Sequence, residues 1–130
     1  MSAVALPHTA SSATVARRCL VADLLAAGLP ASAVADAELV VAEMIGNAVR
    51  HARPLPGGQL TVGWEIRDGG IVVRVTDGGS DTHPAVERHI DVAKAERGRG
   101  LAIVDAIASD WGAERRGVGL STWAVIDLRR

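Results

Sequence analysis

The sequence of 130 residues has no phenylalanine, no tyrosine and one cysteine. Its aromatic rings are Trp64, Trp111 and Trp123 alone, so a core must be built from Val, Leu, Ile and Ala. The single Cys19 excludes an internal disulfide and fits a reducing compartment. Lysine is nearly absent: thirteen of the fourteen basic residues are arginine, and the other is Lys94. A net charge of −1 offers no basic excess to attract nucleic acid or an anionic membrane. The opening MSAVALPHTA lacks the basic and apolar regions of a signal peptide. No charge-free apolar run reaches membrane-spanning length. The expectation is therefore a soluble cytoplasmic protein. Its length suits a single domain over residues 1–130, which buries roughly two-thirds of its unfolded surface.

Two nucleotide motifs are also missing. A P-loop needs Gly-Lys-Ser/Thr, but Lys94 is followed by Ala95. A dinucleotide fingerprint needs Gly-x-Gly-x-x-Gly after a strand. Gly98 and Gly100 supply the first pair, but Ile103 holds the third position and a charged segment precedes them.

What is present reads as an ordered series of elements. SSATVARRCLVADLLAAG places Val15, Leu20, Leu24 and Leu25 near helical spacing, with Ser/Thr cap candidates before them and a stop at Gly28. A second helix starts after Pro30, with Ser32 as its cap candidate, and ends before Pro54. QLTVGWEIR alternates Leu60, Val62, Trp64 and Ile66 on one face, and DGG (68–70) turns it into IVVRVT. A polar, charged stretch follows, with room for a short helix around Val86 to Ala93. GLAIVDAIASD reads as a third helix, and WGAERR, GVG and LSTWAVIDL as a closing hairpin. Four strands in hairpins and three helices imply an α+β two-layer sandwich with the helices on one face.

Three stretches carry candidate chemistry. In the second helix, Glu43 and Asn47 are four residues apart, hence about 40° apart around the axis. Gly46 and Arg50 fall on that side, with Val41, Ile45, Ala48 and Ala52 opposite. A solvated polar face would give the same spacing. Yet a mid-helix glycine costs about 1 kcal/mol relative to alanine and leaves room for a ligand. The Asn47 carbonyl oxygen suits Mg²⁺ beside phosphates, and Glu43 can orient or deprotonate a hydroxyl. The second stretch is the repeated DGG. At 77–79 it ends a strand, but eighteen residues follow (80–97) instead of a strand. A connection that long usually serves a site as a lid or is disordered. Asp77 there can accept a hydrogen bond from an adenine amino group; a plain strand-ending turn is the alternative. The third is ERGRGLAIVDAIASDWG. Gly98 and Gly100 open a helix whose N-terminal amides suit an anion, and Arg97, Arg99 or Lys94 can add charge. A simple entry turn fits this segment equally well. The four histidines and Cys19 make no recognisable metal constellation.

In this order, Glu-x-x-x-Asn on a helix, Asp-x-Gly after a strand and Gly-x-Gly opening a helix resemble the GHKL ATP-binding superfamily, the Bergerat fold of gyrase, heat-shock chaperones and histidine kinases. ELVVAEMIGNAVRHA is similar to its N box, VRVTDGG and ERGRGLAIVDAIASDWG to its two glycine boxes, and STWAVIDL to its last strand. Within that group, a short free-standing chain most resembles the bacterial anti-sigma-factor serine/threonine kinases. The resemblance implies a mixed, largely antiparallel sheet and ATP with Mg²⁺ as cofactors. Glu43 would be the catalytic base, Asn47 the Mg²⁺ ligand, Asp77 the adenine reader and Gly79 a wall of its pocket. Gly98, Arg99, Gly100 and Leu101 would hold phosphates through backbone amides, with Arg99 near the γ-phosphate. Ser121 or Thr122 would support the adenine side. The implied partners are a sigma factor and a STAS-domain anti-anti-sigma protein phosphorylated on Ser or Thr; relatives also commonly form homodimers. A non-catalytic nucleotide- or sigma-factor-binding module and a simple ATPase are the alternatives.

Overall fold

The computed structural model describes residues 2–80 and 99–128, with the side chains of 99 and 100 excepted. Among the described residues three helices, α1 (Ser12–Ala26), α2 (Ala31–His51) and α3 (Arg99–Ile107), accompany five strands, β1 (Ser2–Pro7), β2 (Gln59–Arg67), β3 (Gly70–Asp77), β4 (Asp110–Arg116) and β5 (Gly119–Asp127). The strands form one sheet in the order β1-β2-β3-β5-β4, and every neighbouring pair is antiparallel. Because β5 lies between β3 and β4, the chain leaving β3 through α3 returns one strand further along the sheet.

Strand alternation sets the two faces. Ile71, Val73 and Val75 of β3 and Leu120, Ala124 and Ile126 of β5 are buried toward the helices. Leu20 and Leu24 of α1, Val40, Val41 and Ile45 of α2, and Leu101 and Val104 of α3 complete the core. With no Phe or Tyr, Trp111 is its largest fully buried side chain, and the Trp111 indole N–H donates to Asp105 at 2.7 Å.

Local signals place most boundaries. α1 ends at Gly28, whose φ of +82° lets the Gly28 and Leu29 N–H groups bond back to Leu25 and Leu24. At the β2–β3 turn both Asp68 and Gly69 have positive φ, as a two-residue turn between antiparallel strands requires. The caps differ from expectation. Ser32 lies inside α2, whose flanking residue is Pro30. The Ser12 hydroxyl donates to the Pro7 carbonyl at 2.5 Å, tying α1 to β1.

Two expectations are corrected. Among the described residues the sheet has five strands, not four, because residues 2–7 pair with β2 from Ser2↔Trp64 to Pro7↔Gln59. α3 stops at Ile107 and does not extend to Asp110: Ser109 N–H bonds to Val125 and Asp110 begins β4. The expected short helix around 86–93 lies outside the described residues.

Candidate functional site

α2 packs across β3 and β5 and against α3, and the segment leaving it is bonded to the turn after β3. Asn47 is 3% exposed. Its Oδ1 is the one fully buried side-chain oxygen or nitrogen among the described residues with no hydrogen-bond partner. A buried acceptor left unsatisfied costs about 1–3 kcal/mol, so it calls for an explanation. An oxygen that accepts nothing from the protein can serve a hard cation such as Mg²⁺. Glu43, one turn earlier, is half-buried.

The space beside Gly46 is not empty. A Cβ there would lie 3.0 Å from Arg50 Nη1, so the Arg50 guanidinium folds back over Gly46. The glycine admits this cation to the Glu43–Asn47 side of the helix. Sequence spacing placed Gly46 and Arg50 on one side but did not show that one makes room for the other.

Asp77, at the end of β3, is 2% exposed. Its Oδ1 accepts the Gly79 N–H at 2.7 Å. The turn is then clamped to the segment leaving α2. Arg53 N–H donates to the Gly79 carbonyl at 2.9 Å, and Gly78 N–H donates to the Arg53 carbonyl at 2.7 Å. Gly79 needs its positive φ of +76° to close this turn. Gly119, at the start of β5, adds a third constraint: a Cβ there would be 2.6 Å from the Asp77 carbonyl oxygen.

The β5 hydroxyls separate. Thr122 pairs with Val75 and shares the helix-covered face with Asp77. Ser121 points to the other face, where its Oγ lies 2.6 Å from Thr76 Oγ1. Leu101 is fully buried in the core, which leaves only its backbone for a ligand. Arg99 and Gly100 form the first turn of α3, where N–H groups lack intrahelical partners. Gly98, Lys94 and Arg97 lie outside the described residues. Among the described residues no three His, Cys, Asp or Glu side chains cluster to hold a metal, so a metal-only centre finds no support there. No described helix is long and apolar enough to cross a membrane.

A buried carboxylate on a strand end and an orphan amide oxygen on the helix whose exit is bonded to that strand's turn make a pattern suited to a nucleotide. Residues 6–126 match the family described as the histidine kinase-like ATPase domain. The chain belongs to that family. No curated protein matches the sequence. Among solved structures it is similar to the RsbU and RsbW domains of Rv1364c from Mycobacterium tuberculosis. That likeness has a TM-score of 0.71 at 20% identity and covers 98% of this chain and 32% of that one. It is also similar to the Acinetobacter baumannii histidine kinase AdeS, with a TM-score of 0.50 at 21% identity, covering 75% of this chain and 48% of the other. The chain thus spans about a third of the Rv1364c structure and half of the AdeS one, and the likeness to both is one of fold.

Proposed function

We propose that this histidine kinase-like ATPase domain binds ATP with Mg²⁺ and transfers the γ-phosphoryl group to a Ser or Thr of a STAS-domain partner, thereby controlling a sigma factor. The orphan Oδ1 of Asn47 carries the reading. A polar atom buried without a partner, on the helix that faces the clamped Asp77 turn, is best accounted for by a cation brought in with a ligand.

In this reading the Asp77 carboxylate accepts the adenine amino group, and the turn held by Arg53 keeps the carboxylate in place. Thr122, on the same face, supports the base from β5. The amides from Gly98 to Leu101 take the phosphates at the start of α3. When bound through Asn47, Mg²⁺ would neutralise charge on the phosphate oxygens. Glu43 accepts the proton of the attacking hydroxyl as its oxygen bonds to the γ-phosphorus and ADP leaves. The likeness in fold to the RsbU and RsbW domains of Rv1364c supports this reading.

Two measurements test it. Mg·ATP should raise the melting temperature of the wild-type protein and leave Asn47→Ala unshifted; no shift in the wild type would remove the ATP reading. Radiolabelled ATP should then label a STAS-domain acceptor with wild type and far less with Glu43→Ala. Nucleotide binding without labelling would favour the sequestering module, and phosphate release without an acceptor the simple ATPase.

A further inference from the structure

The fold sorts its charges by end. At the β2–β3 turn, Glu65, Asp68, Asp110 and Asp127 gather with Arg67. The opposite end of the sheet, where β3 finishes at Asp77, is basic. From Met44 to Trp64 the sequence has no Asp or Glu, and its charges are Arg50 and Arg53, beside His51. From Arg115 to Ile126 it again has none, and its charges are Arg115 and Arg116. All four arginines are exposed. A net charge of −1 conceals this separation.

Packing joins the two arginine segments. Arg53 is bonded through its backbone to Gly78 and Gly79 at the turn after β3. A Cβ on Gly119 would lie 2.9 Å from Leu55 Cδ2, so the start of β5 sits on the segment leaving α2. Arg116 is the cross-strand partner of Gly119, and Arg115 of Leu120. Cross-strand Cα atoms lie about 4.5–5.5 Å apart, which puts both arginine backbones within roughly a Debye length of the Gly119–Leu55 contact. Two acids border the patch. The buried Asp77 turns its Oδ1 to the Gly79 N–H, and Glu114 is shared by Arg74 and Arg116. The balance stays positive.

Three features choose the ligand. The charges stand on different surfaces: Arg116 shares the open face of the sheet with Glu114, Arg115 shares the helix-covered face with Leu120, and Arg50 and Arg53 lie at the exit of α2. A rim spread in this way exceeds the reach of one phosphate group. Apolar side chains stand among the charges: Val118 is 73% exposed in the β4–β5 turn, and Pro54 and Pro56 are exposed. Arginine beside apolar contacts, without lysine, is the composition of a protein interface, where guanidinium forks take carboxylates in pairs. The exposed residues of this rim include no aromatic ring on which a nucleic-acid base could stack.

We propose that this end of the molecule docks an acidic protein surface, one that sets clustered Asp or Glu side chains around an apolar contact for Val118. The Asp77 turn is at the same end, so a docked partner lies beside the candidate nucleotide site. The surface itself needs no nucleotide, and the proposal stands apart from the ATP reading.

The test is fluorescence anisotropy of a fluorescein-labelled peptide with a repeated Glu-Glu-Leu sequence, titrated with the nucleotide-free protein. Wild type should bind it, and more weakly as salt is raised from about 50 to 300 mM. Arg115→Glu combined with Arg116→Glu should weaken binding at least about tenfold, and Arg53→Glu several-fold. Val118→Ser should weaken it while leaving the salt dependence unchanged. Arg67→Glu, at the acidic end, should bind as wild type does. Circular dichroism and the Mg·ATP-dependent rise in melting temperature should be the same in all variants as in wild type. Wild type that binds the peptide without a Mg·ATP-dependent rise supports this surface and removes only the nucleotide reading. No binding of the peptide by wild type overturns the proposal. So does an equal loss in Arg67→Glu, or tighter binding of a single-stranded oligothymidine of equal charge, which would assign the rim to nucleic acid.

Discussion

Gly78 lies against the carbonyl of Pro54 so closely that any Cβ on it would overlap that oxygen. The contact joins two segments twenty-four residues apart, the exit from α2 and the end of β3. It makes the Arg53–Gly78 and Arg53–Gly79 hydrogen bonds possible. Gly78→Ala must therefore push the two segments apart, lose both bonds and release the Asp77 turn. Overpacking of this kind costs about 1–3 kcal/mol, and each lost bond adds about 1 kcal/mol. Gly79→Ala meets nothing closer than the Leu120 Cβ at 3.6 Å and bears only the penalty of a left-handed backbone, about 1–2 kcal/mol. Thermal melts should rank wild type above Gly79→Ala above Gly78→Ala. Equal melting points for the two variants would discount the clamp.

Asn47 separates stability from function. Its Oδ1 is buried without a partner, so truncation removes an unsatisfied acceptor as well as packing. Asn47→Ala should thus lower the melting point of the nucleotide-free protein little, by no more than about 1 kcal/mol, because the two effects oppose. It should nevertheless lose the Mg·ATP-dependent rise. A nucleotide-free variant destabilised by several kcal/mol would assign the side chain a structural role instead.

How much of this was legible in the sequence depends on contrast. β2 alternates apolar and polar residues, and α2 sets Val41 and Ile45 against Glu43, so period and face were readable. β1 was not, because Ala3 and Ala5 on its outer face are as uncharged as Val4 and Leu6 on its inner one. Six residues without a polar partner series take strand form only through pairing with β2. At the site, the sequence placed Glu43, Asn47 and Asp77 on their elements. The packing of Arg50 over Gly46 and the Arg53 clamp were invisible, since both depend on where backbones approach in space. The end of α3 is not legible in the sequence, because the Ser109 hydrogen bond to Val125 is a tertiary contact.

Thr122 and Ser121, adjacent in β5, occupy opposite faces of the sheet. Thr122 shares the face of Asp77, whereas Ser121 is spent on Thr76. Thr122→Val keeps the volume and β-branching while removing the hydroxyl. It should weaken nucleotide affinity several-fold, the effect of one lost hydrogen bond of about 1 kcal/mol. Ser121→Ala should lower the melting point by a similar energy and leave nucleotide affinity unchanged. Isothermal titration and thermal melts on both variants check this, and reversed effects would place the ligand on the open face.

Asp23 supplies the acid dependence. Its carboxylate accepts the Trp64 indole N–H at 2.7 Å and the Ser2 hydroxyl at 2.8 Å. The Trp64 bond first, then the Ser2 bond, hold its pKa below the usual 3.8. A lowered carboxylate pKa means that the unfolded chain binds the proton more readily than the folded one. The contribution is fully present above pH 3.8 and fades as pH falls through the lower folded-state value. Trp64→Phe removes the larger cause and moves the folded pKa back toward 3.8. The melting-temperature advantage of wild type over Trp64→Phe should then narrow as the pH is taken from 6 to below 3. A gap that stays constant across that range would show that Trp64 stabilises the β1–α1–β2 corner by packing alone.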